Sequence, residues 1–324
     1  MKDPVVDRSG GGNNGIVAVI GGGSIGLAFA IVFASAGRPV RLYEPDAARR
    51  VAIPGLLRVR LDDLRQFDLL PETAEAIEDR VTLADNLAMA VDEAVYVQEC
   101  APEILALKKE LFAELDRLAP PHAVLASASS FIVASAFAAG LPGRHRVLVA
   151  HPGNPPFLIK VVEIVPAPFT HPESIQAVLS LLESAGMAPV LVRKEVEGFV
   201  FNRLQGALLR EAYCLVRDGV ASVEDVDRIV RDGLGMRWSV IGPFETADLN
   251  TQGGIASHAE KMGPSYARMG AERGQHDPWT PDLVARVTEE RRALLPLDQW
   301  AERVSWRDRR LMSLVRHRKS ERQA

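Results

Sequence analysis

Short apolar runs of strand character punctuate the first two-thirds of the chain, at residues 16–20, 40–43, 93–100, 123–128, 146–150, 160–165 and 190–193. Segments of helical period separate several of them. In residues 102–118, Ile104, Leu107, Leu111 and Leu115 recur every three or four positions, which puts them on one face of a helix. Strands alternating with helices predict βαβ units and a mostly parallel sheet. The texture changes after Lys194. Residues 200–216 carry Leu204, Leu208, Ala212 and Leu215 on one helical face, and Gly219 closes the segment. Ser222 followed by Asp225 has the spacing of a capping box and predicts a further helix to about residue 231. Strand pattern is scarce beyond it. The chain therefore reads as a flexible tail (1–14), an α/β domain (15–193) and a smaller all-α domain (194–324).

Residues 16–44, IVAVIGGGSIGLAFAIVFASAGRPVRLYE, resolve into strand, glycine turn, helix and strand, ending on an acid. Gly21, Gly23 and Gly26 form a G-x-G-x-x-G run directly after the first strand. In that frame the first glycine permits the tight turn, the second lets backbone approach a pyrophosphate, and the third lets helix and strand pack closely. The phosphates would sit at the helix N-terminus, where unpaired N–H groups favour negative charge. Gly21, Gly23, Ser24, Ile25 and Gly26 are thus the expected cofactor-binding turn of a Rossmann-type domain. Glu44, at the end of the second strand, suits the ribose hydroxyls of NAD and repels a 2′-phosphate. Arg41 and Arg49 nearby argue for NADP, but the carboxylate outweighs them, and NAD is the expected cofactor.

Composition narrows the picture further. At 324 residues the chain exceeds the usual size of one hydrophobic core, in keeping with two domains. A formal net charge of −4 without a long basic block gives no footprint for nucleic acid. The basic residues Arg316, Arg318, Lys319 and Arg322 read as a solvated helix end. Two cysteines, Cys100 and Cys214, exclude a disulfide framework and a cysteine-rich metal site, and they suit a reducing compartment. The uncharged stretches 16–37 and 120–143 are long enough to raise the question of membrane spans. The glycine turn breaks the first, and the second is rich in Ser, Ala and Pro, so each divides into strand plus helix. With no apolar signal core near the N-terminus, a cytoplasmic protein without membrane contact is expected.

For chemistry, RVLVAHPGNPPFLIKVVEIV (146–165) places His151 just beyond one strand and Glu163 within the next. Adjacent strands joined by a Gly/Pro turn can bring imidazole and carboxylate together, so that one ring nitrogen is held and the other accepts a proton. The same residues equally suit a histidine bonded to loop backbone and a glutamate pointing outward. Asn202 opens a helix and reads either as a cap or as a substrate contact. Ser130 is open between turn hydroxyl and substrate contact. Arg237 can hold a substrate carboxylate bidentately or form a structural ion pair. His122, His145, His171, His258, His276 and His317 lack metal-ligand spacing, so no metal is expected. Ser127, Ser129 and Ser130 lack a G-x-S-x-G elbow, which argues against a hydrolase.

These motifs carry a resemblance. VQECAPEILALKKELF (97–112), HPGNPPFLIKVVEIVPAP (151–168), GFVFNRLQGALLREAYCLVRDGVAS (198–222) and GLGMRWSVIGPFETADLN (233–250) resemble the L-3-hydroxyacyl-CoA dehydrogenase superfamily. The nearest branch is that of lambda-crystallin and L-gulonate 3-dehydrogenase. The resemblance runs from the glycine turn to about Asn250 and weakens in the last seventy or so residues. It implies an NAD-dependent enzyme that oxidises the 3-hydroxyl of an L-hydroxy acid and forms a homodimer through the helical domain. His151 would be the base, Glu163 its orienting partner, and Ser130 and Asn202 contacts to the substrate. Glu103 and Lys108 fall on NAD-contacting positions, and Glu44 stands where the family usually has Asp. The serine motif reads ASASS, with Ala126 and Ala128 where the branch carries hydroxyls. Trp238 replaces a common Tyr, as in the carnitine dehydrogenase branch. A free sugar acid such as L-gulonate is the preferred substrate, with a carnitine-type or acyl-CoA substrate as the alternative. A non-catalytic crystallin-like protein is the reading from a different class.

Overall fold

The computed structural model describes residues 15–239, 242–249 and 254–274, with scattered positions between 282 and 317. The expected tail (1–14), His276 and the basic residues Arg318, Lys319 and Arg322 lie outside the described residues. The first half alternates as the pattern requires: β1 (Ile16–Ile20), α1 (Ser24–Ser35), β2 (Val40–Tyr43), α2 (Ala47–Gln66), α3 (Ala74–Glu78), β3 (Val81–Leu83), α4 (Leu87–Val91), β4 (Ala94–Glu99), α5 (Leu105–Leu118) and β5 (Val124–Ser127). It continues through α6 (Ala134–Ala138), β6 (Val147–Pro152), β7 (Val161–Pro166), α7 (Pro172–Ser184), β8 (Ala188–Leu191) and α8 (Phe201–Arg217). The eight strands form one sheet in the order β3-β2-β1-β4-β5-β6-β7-β8. Every pairing is parallel except β6 with β7, which run antiparallel.

Burial on both faces explains why β1, β4 and β6 are almost continuously apolar rather than alternating. Helix α1 is buried over Gly26–Ala34, and its sequence is correspondingly apolar all round. One side of the sheet packs Phe29, Phe33 and Tyr96 among aliphatic residues, with Phe33 and Tyr96 edge to face at 5.7 Å. The other side is centred on Phe112 and Phe137, whose rings lie 4.5 Å apart. The stretch from 45 to 92 holds elements that the sequence pattern left unassigned. Helix α2 buries Ile53, Leu57, Leu61 and Leu64 along one stripe, and Asp46 caps it by accepting from Arg49 N at 2.9 Å. Strand β3 is a three-residue edge with Thr82 and Leu83 exposed, too short and too polar to show a period.

By its contacts the chain forms two units, one of residues up to Arg203 together with those from Trp306 onwards, the other Leu204–Ser305. Met312 is buried in the core of the first unit. The described part of the second unit is helical: α8 from Leu204 onwards, α9 (Val223–Arg228), a π-helical stretch (Ile229–Leu234), α10 (Gly235–Trp238), α11 (Pro243–Leu249) and α12 (Gly254–Arg273). Ser222 Oγ accepts from Asp225 N at 3.1 Å, the cap that its spacing predicts. Arg273 of α12 bonds Glu211 of α8 at 2.9 Å and Asp218 just beyond it at 2.5 Å.

Candidate active site

The carboxyl ends of β1, β2, β4 and β5 carry the glycine turn, Glu44, Glu99 and the serine loop, where parallel sheets present their ligand sites. At the turn, a Cβ on Gly26 would lie 1.8 Å from the Gly21 carbonyl oxygen, so only glycine lets α1 approach β1 this closely. A Cβ on Gly23 would meet no protein atom within 4 Å, which leaves that face open to a ligand's phosphates. Helix α1 has no side-chain cap and no acid in its first turn, so its N-terminal N–H groups are not already claimed by a carboxylate. Arg60 of α2 reaches the Ser24 hydroxyl and carbonyl at 3.4 Å, bringing a cation to the same end.

The buried Glu44 carboxylate accepts from Gly22 N at 2.8 Å and Asp46 N at 3.0 Å, which pins it beside the turn. Arg41 bonds the carbonyls of Met89 and Asp92, with Asp92 and Glu93 carboxylates within 4.0 Å, and is thereby committed elsewhere. These residues fit NAD: an open phosphate cradle, with a fixed anion where a 2′-phosphate would have to sit.

Lys108 and Glu103 are both engaged within the protein. Lys108, 1% exposed, donates to Glu99 Oε1 and Oε2 at 3.0 and 2.9 Å and to Ser127 Oγ at 3.2 Å. Glu99 also accepts from Ser127 Oγ and from Ala101 N. Sequence reasoning missed Glu99; its signal was a lone acid ending the apolar strand VYVQE, nine residues before a lysine. Glu103 accepts from Ser129 Oγ and from the N–H groups of Ser130, Phe131 and Ile132, at 2.5–3.0 Å. Burial pushes its carboxyl up, but these donors outweigh that and hold it below the usual range. Within the serine motif, Ser127 and Ser129 are the hydroxyls that bond Glu99 and Glu103.

His151 and Glu163 face each other in the antiparallel β6–β7 register. Rather than lying beyond its strand, His151 is the fifth residue of β6. Its Nδ1 is 2.8 Å from Glu163 Oε2, and both side chains are buried. Glu163 Oε1 accepts from Val200 N and Phe201 N at 2.8 and 2.9 Å. Burial raises the Glu163 carboxyl, but the imidazole and the two amides lower it further, so it stays ionised. An ionised partner makes Nδ1 the donor, which leaves Nε2 as the nitrogen with the lone pair. Asn202 Nδ2 donates to the Ser130 carbonyl at 3.3 Å, joining those two residues. Arg237 is exposed in the second unit. Burial pushes the Cys100 thiol well up, which disfavours the nucleophilic thiolate. Among the described residues no group of three metal-binding side chains occurs, and no helix is long and apolar enough to cross a membrane.

A doubly wound sheet with an open glycine cradle and a buried histidine–carboxylate pair defines a dinucleotide-dependent oxidoreductase. The profile described as "3-hydroxyacyl-CoA dehydrogenase, NAD binding domain" matches residues 16–196, and that of the family's C-terminal domain matches residues 198–293. The chain belongs to the 3-hydroxyacyl-CoA dehydrogenase family. It is 38% identical over 305 residues to a lambda-crystallin homolog of Mus musculus, covering 93% of this chain and 95% of that one. It is 36% identical over 265 residues to an L-carnitine dehydrogenase of Streptomyces griseus, covering 82% and 76%. A crystal structure of 5-formyl-3-hydroxy-2-methylpyridine 4-carboxylic acid 5-dehydrogenase, described as an NAD+-dependent dismutase, superposes with a TM-score of 0.80 at 28% identity over 93% of this chain and 97% of that one. The protein is an NAD-dependent oxidoreductase acting on a CH–OH group of a small-molecule substrate.

Proposed function

We propose that this enzyme oxidises the 3-hydroxyl of a free L-hydroxy acid of the L-gulonate type, with His151 as general base. The observation that carries this reading is the 2.8 Å pairing of His151 Nδ1 with an ionised Glu163. His151 Nε2 takes the hydroxyl proton, and Glu163 stabilises the imidazolium that forms. Ser130 and Asn202, already joined to each other, hold the substrate oxygen. NAD, when bound, would supply the hydride acceptor for the carbon that bears the hydroxyl. Gly21, Gly23, Ser24, Ile25, Gly26 and Glu44 hold it; Glu103 and Lys108 contribute by fixing the loops beside it. Arg237 is assigned to the substrate carboxylate.

Ion pairing on α2 supports a free acid over an acyl-CoA. A CoA phosphate needs a basic surface, but Arg58 is paired with Glu78 and Arg65 with Asp62. Residues 194–324 form the substrate and dimerisation domain in this reading, and the protein is cytoplasmic.

The test is a panel of L-gulonate, L-carnitine, L-3-hydroxybutyrate and 3-hydroxybutyryl-CoA, run on the wild type and on His151→Asn. The highest kcat/KM is expected for the sugar acid, and turnover should fall by at least about a hundredfold in the variant with NAD affinity retained. A large preference for the thioester overturns the substrate, near wild-type turnover of the variant overturns the base, and no NADH from any substrate favours the non-catalytic reading.

A further inference from the structure

We propose that the left-handed pair Gly198–Phe199 is a positioning element that fixes the proton on Nδ1 of His151. The proposal rests on the reading of His151 as base and adds what sets its tautomer. Gly198 has φ +74° and Phe199 φ +49°. A left-handed backbone is ordinary for glycine but disfavoured for a residue with a Cβ, and it persists only where its surroundings hold it.

What this turn accomplishes is visible in the next two residues. It aims the N–H groups of Val200 and Phe201 at Glu163 Oε1, at 2.8 and 2.9 Å. With Oε1 taken by two donors, Oε2 is the oxygen that meets Nδ1. The same N–H groups open α8, a seventeen-residue helix whose dipole favours the ionised carboxylate. Phe199 is itself fully buried, and its ring lies 5.5 Å from the imidazole, while the Phe201 ring stands nearly perpendicular to it at 6.2 Å. One short segment thus grips both members of the dyad: rings on the histidine, amides on the glutamate. Neither Gly198 nor Phe199 touches the reacting atoms; they act through Glu163 and His151.

The backbone contribution can be isolated. A Cβ on Gly198 would meet Asn202 Cβ at 3.5 Å, Phe131 Cε1 at 3.6 Å and Arg203 Cγ at 3.7 Å, all ordinary van der Waals contacts. Gly198→Ala therefore opposes the left-handed conformation without a clash, and Phe199→Gly keeps that conformation accessible while removing the ring.

The experiment is nitrogen-15 NMR of histidine-labelled full-length protein without cofactor, at a pH where His151 is neutral, with the His151→Asn protein to assign its signals. NADH affinity and kcat against KM are measured alongside. In the wild type a single Nδ1–H tautomer is expected. In Gly198→Ala, and to a smaller extent in Phe199→Gly, the Nε2–H tautomer should appear. kcat should fall by about tenfold or more while NADH affinity stays within about twofold. If Gly198→Ala does not fold, Phe199→Gly decides. A pure Nδ1–H tautomer with wild-type kcat in every variant that folds overturns the proposal. An active His151→Asn enzyme together with a tautomer shift in Gly198→Ala would sink the assignment of the base and leave the positioning role standing.

Discussion

Lys108 shows how burial decides what a charged residue does. A cation at 1% exposure persists only when paired, and its three ammonium protons have Glu99 and Ser127 as acceptors. Removing it strands the Glu99 carboxylate in the core. Lys108→Met should destabilise the protein by about 3–5 kcal/mol, and adding Glu99→Leu should restore most of the loss. Urea denaturation of the two variants measures this. An unchanged midpoint with weakened NADH binding would instead make Lys108 a direct cofactor ligand. Glu103 has a similar place, holding the loop of Ser130 through three backbone N–H groups and one hydroxyl. The family resemblance of PEILALK marked both residues as candidates, but their partners lie nine to twenty-nine positions away and have no local signal.

Helix α1 and strand β1 meet through Gly26, with the Gly21 carbonyl where a methyl group would have to be. Gly26→Ala should force α1 off the sheet, costing about 1–3 kcal/mol or more and spoiling the aim of its N-terminal N–H groups. Thermal denaturation with and without NADH gives the readout. The wild-type midpoint should rise with ligand, the variant's should rise little, and an equal rise would show that α1 need not sit so close. The turn was legible because strand, glycines and helix are consecutive in the chain. The β6–β7 pair was legible for a related reason: a short connection joins His151 and Glu163, and the antiparallel register sets them opposite each other. By contrast α3, α4 and β3 were not resolved, since short or edge elements carry little hydrophobic period. Helix α2 does carry one, at Ile53, Leu57, Leu61 and Leu64, but Pro54 and Gly55 interrupt it with residues that ordinarily break a helix.

For the whole molecule, the second unit is notable for what it leaves exposed. Among its described residues the buried side chains are Cys214, Val216 and Val223, whereas Leu204, Ile229, Met236 and Phe244 are at least 60% exposed and Tyr266 and Met269 about half. Apolar surface of this kind calls for a partner, and an isologous contact between two copies buries the same patch twice. Tyr213 and Trp238 are of the residue types enriched at interface centres. The expectation is a homodimer: light scattering at micromolar concentration should give about twice the 35.3 kDa chain mass. A monomer mass would refute it.

The sequence by itself determined the alternation of strands and helices and the glycine turn with Glu44, because each is written in local period or in neighbouring segments. It left His151 and Glu163 open between a pair and two unrelated side chains, and only the family resemblance favoured the pair. Tertiary structure alone decided the strand order, the pairing of Lys108 with Glu99, and the capture of Glu163 by the amides of Val200 and Phe201. Those contacts join positions far apart in the chain and depend on backbone direction and burial. A one-dimensional pattern of side chains carries neither.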